Sequence, residues 1–363
     1  MRKPLSLISP LSLIKQKRFF SVWITGFLIG TTRWLDLLAV AIFIFESTAS
    51  ALAVAFAMFL RMLPLLLFGA LAGTLAEKID RRGILIFGLV TMGFVYVCLA
   101  CLAWKQLLDL WVLMVGVFLG GVFWTFEMPI RRTMIAEIAK LENLAVAMGL
   151  DTGTNNFTRM LGPFTGGFLY EVSGLHGTMF LGGVLYFLSA LILLTFRDSP
   201  SPVAYRESSM IQNLIEGISY VRSEKIIIAT FAVTIAFNLF GFSCVSMIPV
   251  IAHEKLNLSA FPTGVLLSGE GTGALVGSLL VAFMVRQGSF NKIYIFGATL
   301  YLICICVFSL SVEFWISYLA MCLAGFGIAG FSAMQSAIIL ARAPSHMRTR
   351  IMGVLTACIG TSP

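Results

Sequence analysis

The chain has 363 residues, of which 59% are hydrophobic and only 12% are charged, and its mean hydropathy is +0.95. Soluble domains carry about 25% charged residues, so this composition excludes a water-soluble globular protein. The net charge of +8 might point to a nucleic acid, but the basic residues lie in separate short loops between apolar segments. We therefore expect no nucleic-acid partner.

Hydrophobic segments long enough to cross about 30 Å of hydrocarbon follow one another along the whole chain. Six precede residue 197, at about 20–45, 50–74, 84–104, 108–128, 145–172 and 177–196. Five follow residue 225, at about 226–252, 262–285, 292–312, 315–341 and from 351 onward. The pattern predicts an all-α polytopic membrane protein of about eleven helices, numbered below as spans 1 to 11.

A polar segment divides the chain into three predicted units. Residues 1–197 form an N-terminal bundle of spans 1 to 6, residues 198–224 a cytoplasmic linker, and residues 225–363 a C-terminal bundle of spans 7 to 11. Apolar residues of the linker recur at helical spacing, which predicts an amphipathic helix along the membrane surface. These residues are Ile211, Leu214, Ile215, Ile218 and Val221.

A weak internal repeat relates the two halves. Gly73 and Gly277 close spans 2 and 8, while Met148-Gly149 and Met352-Gly353 open spans 5 and 11. Transporters are commonly built from such repeated bundles. On a six-plus-six plan the end of span 11 and all of span 12 are missing, so the sequence looks C-terminally truncated.

The distribution of Lys and Arg predicts the orientation. Loops on the side that holds the N-terminus carry nearly all of these residues outside the spans, whereas Lys105 and Lys255 fall on the other side. Cytoplasmic loops retain positive charge. We therefore expect a multi-pass protein of a bacterial cytoplasmic membrane with a cytoplasmic N-terminus.

Ionisable residues inside the spans give the strongest functional signal. Burying one of them unpaired costs at least about 2.5 kcal/mol, and such residues normally face a polar pathway. Spacing by four also favours a cavity lining along span 5. The predicted substrate and proton pathway comprises Arg33, Asp36, Arg61, Asp151, Asn155, Arg159 and Glu270.

Two local patterns in this set have alternative interpretations. Arg33 and Asp36 share a helix face and allow a local ion pair, which is either a proton-exchanging pair or a fixed structural one. Glu270 lies beside a stripe of Gly269, Gly273 and Gly277. Close helix packing is the favoured role of the glycines, and the carboxylate is a candidate titrating site.

The loop after span 2, from Gly73 to Arg82, resembles the major facilitator superfamily signature G-x-x-x-D-[RK]-x-G-R-[RK]. Glu77 replaces the Asp and Asp80 replaces the second Gly. The resemblance implies a cytoplasmic charge latch, to which we add two residues at the end of span 4. The predicted latch comprises Gly73, Glu77, Lys78, Asp80, Arg81, Arg82, Glu127 and Arg131.

Span 5 resembles the antiporter signature G-x8-G-x3-G-P-x-x-G-G of the same superfamily, and only Thr158 departs from it. The matching residues are Gly149, Gly162, Pro163, Gly166 and Gly167. Together with segments around Pro129 and Pro344, this motif makes the chain similar to the multidrug and siderophore (enterobactin-type) exporter branch. Physically, it gives a bendable and closely packed helix.

The resemblance implies a fold of two six-helix bundles and proton-coupled efflux of a small amphiphilic molecule by alternating access. The implied partners are a small-molecule substrate, protons and the lipid bilayer, for a monomer without enzymatic activity, cofactor or metal. Two alternatives are open at this stage. One is an uptake or lysolipid-flipping transporter of the same fold, and the other is a membrane sensor or scaffold without flux.

Overall fold

The computed structural model describes residues 10–78, 80–195, 220–221, 224–284 and 289–343, with a few positions between 351 and 359. Every regular element in these ranges is helical, which confirms the all-α prediction. The amphipathic helix predicted in the linker lies almost wholly outside the described residues. Val221, at its end, is buried in a small apolar cluster with Ile227, Phe231 and Ile339.

The helices follow the predicted spans closely. They are α1 (Pro10–Ile14), α2 (Lys17–Thr48), α3 (Ala51–Lys78), α4 (Arg81–Trp104), α5 (Leu110–Leu194), α6 (Lys225–Phe240), α7 (Ile248–Glu254), α8 (Ala260–Met284), α9 (Phe290–Leu310) and α10 (Phe314–Arg342). A 3₁₀ turn, Phe242–Met247, joins α6 to α7. Within the described ranges, nine stretches are long and apolar enough to cross a membrane. Spans 1 to 3 are α2 to α4, span 7 is α6 with α7, and spans 8 to 10 are α8 to α10.

Helix α5 has 85 residues, and its contacts show that it contains spans 4, 5 and 6. Arg131 bonds to Asp151, while Gly162 and Gly182 both pack against the same turn of α2, at Trp34 and Thr32 respectively. A straight helix would hold residues twenty positions apart about 30 Å from each other. The chain direction therefore reverses twice within α5.

The second reversal lies at Gly174, where φ is +65°. This left-handed backbone conformation is one that residues with a Cβ rarely adopt. The sequence accordingly has a glycine between spans 5 and 6.

Spans 5 and 8 form an antiparallel contact between the two halves of the molecule. Gly271 lies against the backbone of Met160, Gly264 against Pro163, and Gly167 against Ala260. Small residues let helix backbones approach this closely in a membrane. We call the end of the molecule at which α2 begins the N-face and the opposite end the far face. The contact extends from the middle of the molecule to the far face.

Towards the N-face, the same side of span 5 has no such neighbour. Gly149 and Gly153 continue the helical ladder that includes Met160 and Gly167, yet a Cβ at either glycine would meet nothing within 4 Å. Along this seam, the described residues of the two halves touch in the far half, and span 5 borders open space at Gly149 and Gly153.

Within the N-terminal bundle, the antiporter-like motif packs against span 1. A Cβ added to Gly166 would lie 2.7 Å from the Leu35 carbonyl oxygen and 3.0 Å from the Leu35 Cα. Backbone atoms at these distances cannot move aside as a flexible side chain would. Gly166 therefore sets the distance between spans 1 and 5.

We expect Gly166→Leu to destabilise the protein by about 1–3 kcal/mol or more, because overpacking against a backbone forces the two helices apart. Thermal unfolding in detergent, followed by intrinsic tryptophan fluorescence, should show a lower melting temperature. Gly149→Leu is the matched control, since its side chain would enter open space. Equal melting temperatures for the two variants would contradict this account of the packing.

Candidate functional site

The six ionisable residues of the predicted pathway all form ion pairs in the structure. Most of these pairs join different spans. They divide into an ion pair near the centre of the N-terminal bundle, a longer chain of charges beside it, and one pair between the two halves of the molecule.

The first group centres on Asp36 of span 1. Arg61 of span 2 donates from Nη2 to Asp36 Oδ1 at 2.5 Å and from Nη1 to Oδ2 at 3.3 Å. The Tyr96 hydroxyl of span 3 also donates to Oδ2. All of these side chains are buried, and the Tyr186 ring packs edge-on against Tyr96. One carboxylate thus connects three spans.

The expected local pair between Arg33 and Asp36 is wrong. Arg33 instead donates from Nη2 to Glu127 Oε2 of span 4 at 2.7 Å, and its guanidinium lies 4.6 Å from the centre of the Trp124 ring. A spacing of three residues brings two side chains to one helix face. It does not fix their directions, which here follow partners on neighbouring spans.

A chain of alternating charges starts from this arginine. Glu127 accepts from Arg33 and, at 2.5 Å, from Arg131 Nε. Arg131 also pairs with Asp151, which Arg132 contacts at 3.2 Å. The Arg131 guanidinium fits over Gly26 of span 1, where a Cβ would lie 2.8 Å from Arg131 Cζ. The chain ties spans 1, 4 and 5 together near the N-face.

The predicted latch is only partly described. Arg81 pairs with Glu137, whereas Glu127 pairs with Arg33 and Arg131. Arg82 Nε donates to the Leu193 carbonyl at 2.9 Å, at the end of span 6, where helix carbonyls lack helical partners. Asp80 is exposed beside the start of α4. The side chains of Glu77 and Lys78, and the surroundings of Gly73, lie outside the described residues.

Arg159 and Glu270 form the ion pair between the two halves. Arg159 Nη2 of span 5 donates to Glu270 Oε1 of span 8 at 2.6 Å, and both residues are buried. The Arg159 guanidinium lies 4.8 Å from the centre of the Trp34 ring. Asn155, one turn towards the N-face, is half-buried. The pair sits where the close contact between spans 5 and 8 ends.

Further polar contacts close the far face between the halves. Glu171 of span 5 accepts from Ser259 Oγ at 2.8 Å and from the Phe261 backbone N–H at 2.7 Å, and it thereby caps the first turn of α8. Glu46 accepts a hydrogen bond from Tyr170 at 2.5 Å. A cavity of about 530 Å³ lies beside these residues and is also lined by Phe45 and His253.

Sequence reasoning missed several of these partners. Glu171 could have been predicted as a contact residue, because an acidic side chain at the end of a span can cap the start of a neighbouring helix. The Tyr96 and Trp124 aromatic side chains had no distinguishing pattern in a chain with 12% aromatic residues. Their roles depend on which neighbouring span each one faces.

The family described as transmembrane secretion effectors matches residues 8–361. The chain belongs to this family of major facilitator transporters. The chain is 21% identical over 332 residues to macrolide efflux protein A of Streptococcus pyogenes, covering 88% of the chain and 80% of the relative. It is 20% identical over 282 residues to the staphyloferrin A transporter of Staphylococcus aureus, covering 77% and 70%.

A solved structure with the same fold is that of a bacterial homologue of the human lysosomal transporter Spinster, in an inward-facing and unoccupied conformation. The TM-score is 0.71 at 15% identity, and the match covers 96% of this chain and 81% of that one. At this identity the likeness shows the fold alone. By its family, the chain is a polytopic membrane transporter of the major facilitator type and not an enzyme.

We expect Glu127→Gln to destabilise the protein by about 3–5 kcal/mol, because it leaves the buried Arg131 and the half-buried Arg33 without their shared carboxylate. Glu137→Gln is the matched control. Its side chain is 34% exposed, and such a pair is worth about 1 kcal/mol at most. Melting temperatures in detergent should therefore fall far more for Glu127→Gln. A similar fall for both variants would show that burial does not set the energy of these pairs.

Proposed function

We propose that this transporter exports a small amphiphilic molecule in exchange for protons, as a monomer in a bacterial cytoplasmic membrane with its N-terminus in the cytoplasm. The names of its relatives support efflux. They include macrolide efflux protein A and the multi-drug resistance efflux pump PmrA of Streptococcus pneumoniae, which is 27% identical over 217 residues, covering 58% of this chain and 51% of the relative. The antiporter-like motif of span 5 supports the same direction.

The observation that carries the proposal is the position of the Arg159–Glu270 pair at the inner end of the seam between spans 5 and 8. The excess of Lys and Arg around the N-face supports a cytoplasmic position for that face. The described residues of the two halves then touch on the outer side, and span 5 borders open space at Gly149 and Gly153 on the cytoplasmic side. An exporter takes up its substrate in this arrangement.

Glu270 is the carboxylate best suited to exchange a proton. Glu127 and Asp151 each face two arginines, and Asp36 accepts three hydrogen bonds. In the described part of the chain, Glu270 has an ion pair with Arg159 alone. Protonation of Glu270 therefore breaks one ion pair, whereas protonation of Glu127 or Asp151 weakens two ion pairs.

The Arg159–Glu270 pair can also couple the movement of protons to the movement of substrate. While Glu270 is ionised, its attraction to Arg159 holds the outer seam closed. A proton releases the pair by neutralising Glu270, and a substrate releases it by displacing one partner. The transporter then switches between inward-facing and outward-facing states when a proton or a substrate is bound, but not when it is empty. Obligatory exchange requires this restriction.

The test measures proton movement in proteoliposomes that contain an internal pH-sensitive dye and a pH gradient. Three fluorescent amphiphiles serve as candidate substrates: ethidium as a cation, fluorescein as an anion and Nile red as a neutral molecule. We expect gradient-driven transport of at least one of them with opposite proton flux. Glu270→Gln should lower that transport by about tenfold or more, because the pair can no longer form and break.

Glu46→Gln is the matched control. This carboxylate is also hydrogen-bonded, but it is exposed and its partner is Tyr170 of the same bundle, so the variant should retain coupled transport. Absence of dye-dependent proton flux in the wild type would contradict the export proposal. Full coupling in Glu270→Gln would contradict the assignment of the proton site.

A further inference from the structure

Buried polar atoms without a partner cluster at one place in this protein. Among the buried side-chain atoms that the structure describes, those with no hydrogen-bond partner are Trp34 Nε1, Arg159 Nε and Tyr301 Oη. The three residues are at most 9% exposed. They belong to spans 1, 5 and 9, far apart in sequence.

The three atoms surround the ion pair between the halves. The Arg159 guanidinium lies over the Trp34 ring at 4.8 Å. The Tyr301 hydroxyl lies within reach of the Glu270 carboxylate but lacks the geometry of a good hydrogen bond. Other buried tyrosine hydroxyls of the described chain have good partners, as Tyr96 does in Asp36 and Tyr294 in the Thr230 carbonyl. The buried donors without a hydrogen-bond partner are thus confined, among the described residues, to the seam between the bundles.

All three groups are hydrogen-bond donors. An indole N–H and a guanidinium N–H can only donate, and a phenol O–H donates readily. Each buried donor left without an acceptor costs about 1–3 kcal/mol. Such a cost, concentrated at one site, indicates a place where an acceptor arrives from outside.

The geometry of Arg159 narrows the class of acceptor. Glu270 uses only the Nη2 donor of the guanidinium, and the neighbouring Nε donor is unused. A carboxylate commonly binds two parallel donors of one guanidinium at once. Glu270 is therefore a partial occupant of a two-donor site, tethered to span 8.

We propose that Trp34, Arg159 and Tyr301 form a subsite for an anionic oxygen group of the transported molecule, a carboxylate in the first instance. The anion displaces Glu270 from Arg159, takes the Nε and Nη2 donors, and accepts from Trp34 and Tyr301. This inference rests on the proposed export function and assigns it a substrate class. It also separates the two binding events of the exchange. The substrate binds to Arg159 in one step, and the proton binds to Glu270 in the other.

The test compares fluorescein with its methyl ester, which differ in one ionisable carboxylate. Binding to the purified full chain is measured by fluorescence anisotropy. We expect fluorescein to bind the wild type about tenfold more tightly than the ester, since a hydrogen bond to a charged group is worth about 1.5–3 kcal/mol. Tyr301→Phe and Trp34→Phe should each weaken fluorescein binding about fivefold or more and leave ester binding nearly unchanged.

Stability separates this role from a structural one. Tyr301→Phe removes a hydroxyl that makes no well-formed hydrogen bond, so the melting temperature of the ligand-free protein should change little. Tyr294→Phe is the matched control, because it removes a hydroxyl bonded to Thr230 O at 2.8 Å. We expect it to lower the melting temperature and to preserve the preference for fluorescein.

Equal affinity for the two dyes, or binding of neither, would overturn the anionic subsite. So would a loss of stability in Tyr301→Phe as large as in Tyr294→Phe. These results are independent of the export assay. Proton-coupled transport of ethidium alone would leave the exporter in place and exclude the proposed substrate class.

Discussion

An arginine in the hydrocarbon core of a bilayer requires an opposite charge within reach, and the arrangement of the helices follows from this requirement. An unpaired charge there costs at least about 2.5 kcal/mol, whereas a neutral hydrogen bond between membrane helices contributes about 0.6 kcal/mol on average. The charges therefore dominate the choice of neighbours. Arg33 draws span 4 to span 1, Arg61 draws span 2 to span 1, and Arg159 joins span 5 to span 8.

Glycines make these pairings possible by letting backbones approach. Gly162 and Gly166 bring span 5 against span 1, while Gly264 and Gly271 bring span 8 against the neighbouring side of span 5. Span 5 consequently has a fixed contact within its own bundle and a second contact that belongs to one arrangement of the two halves. The antiporter-like motif serves both, since Gly167 lies at the second contact.

The sequence predicted the spans, the all-α fold and the membrane setting well, because hydrophobic length and composition are local properties. It also identified the charged residues of the interior, since each is conspicuous in an apolar segment. It failed on their partners. Arg33 and Asp36 are neighbours on one helix but bond to different spans, and helix rotation and packing decide such choices. The sequence could not predict that the Trp34 and Tyr301 donors are buried without an acceptor, because this depends on how the spans pack.

The cap that Glu171 places on span 8 has a consequence for the opening of the far face. Its acceptor oxygen and the Ser259 and Phe261 donors that it binds are exposed groups at the membrane surface, so water can replace every one of these bonds when the halves part there. Opening thus exchanges protein hydrogen bonds for hydration at little net cost. In the proposed cycle these surface bonds therefore give the closed far face its direction, while the buried Arg159–Glu270 pair supplies more of its free energy.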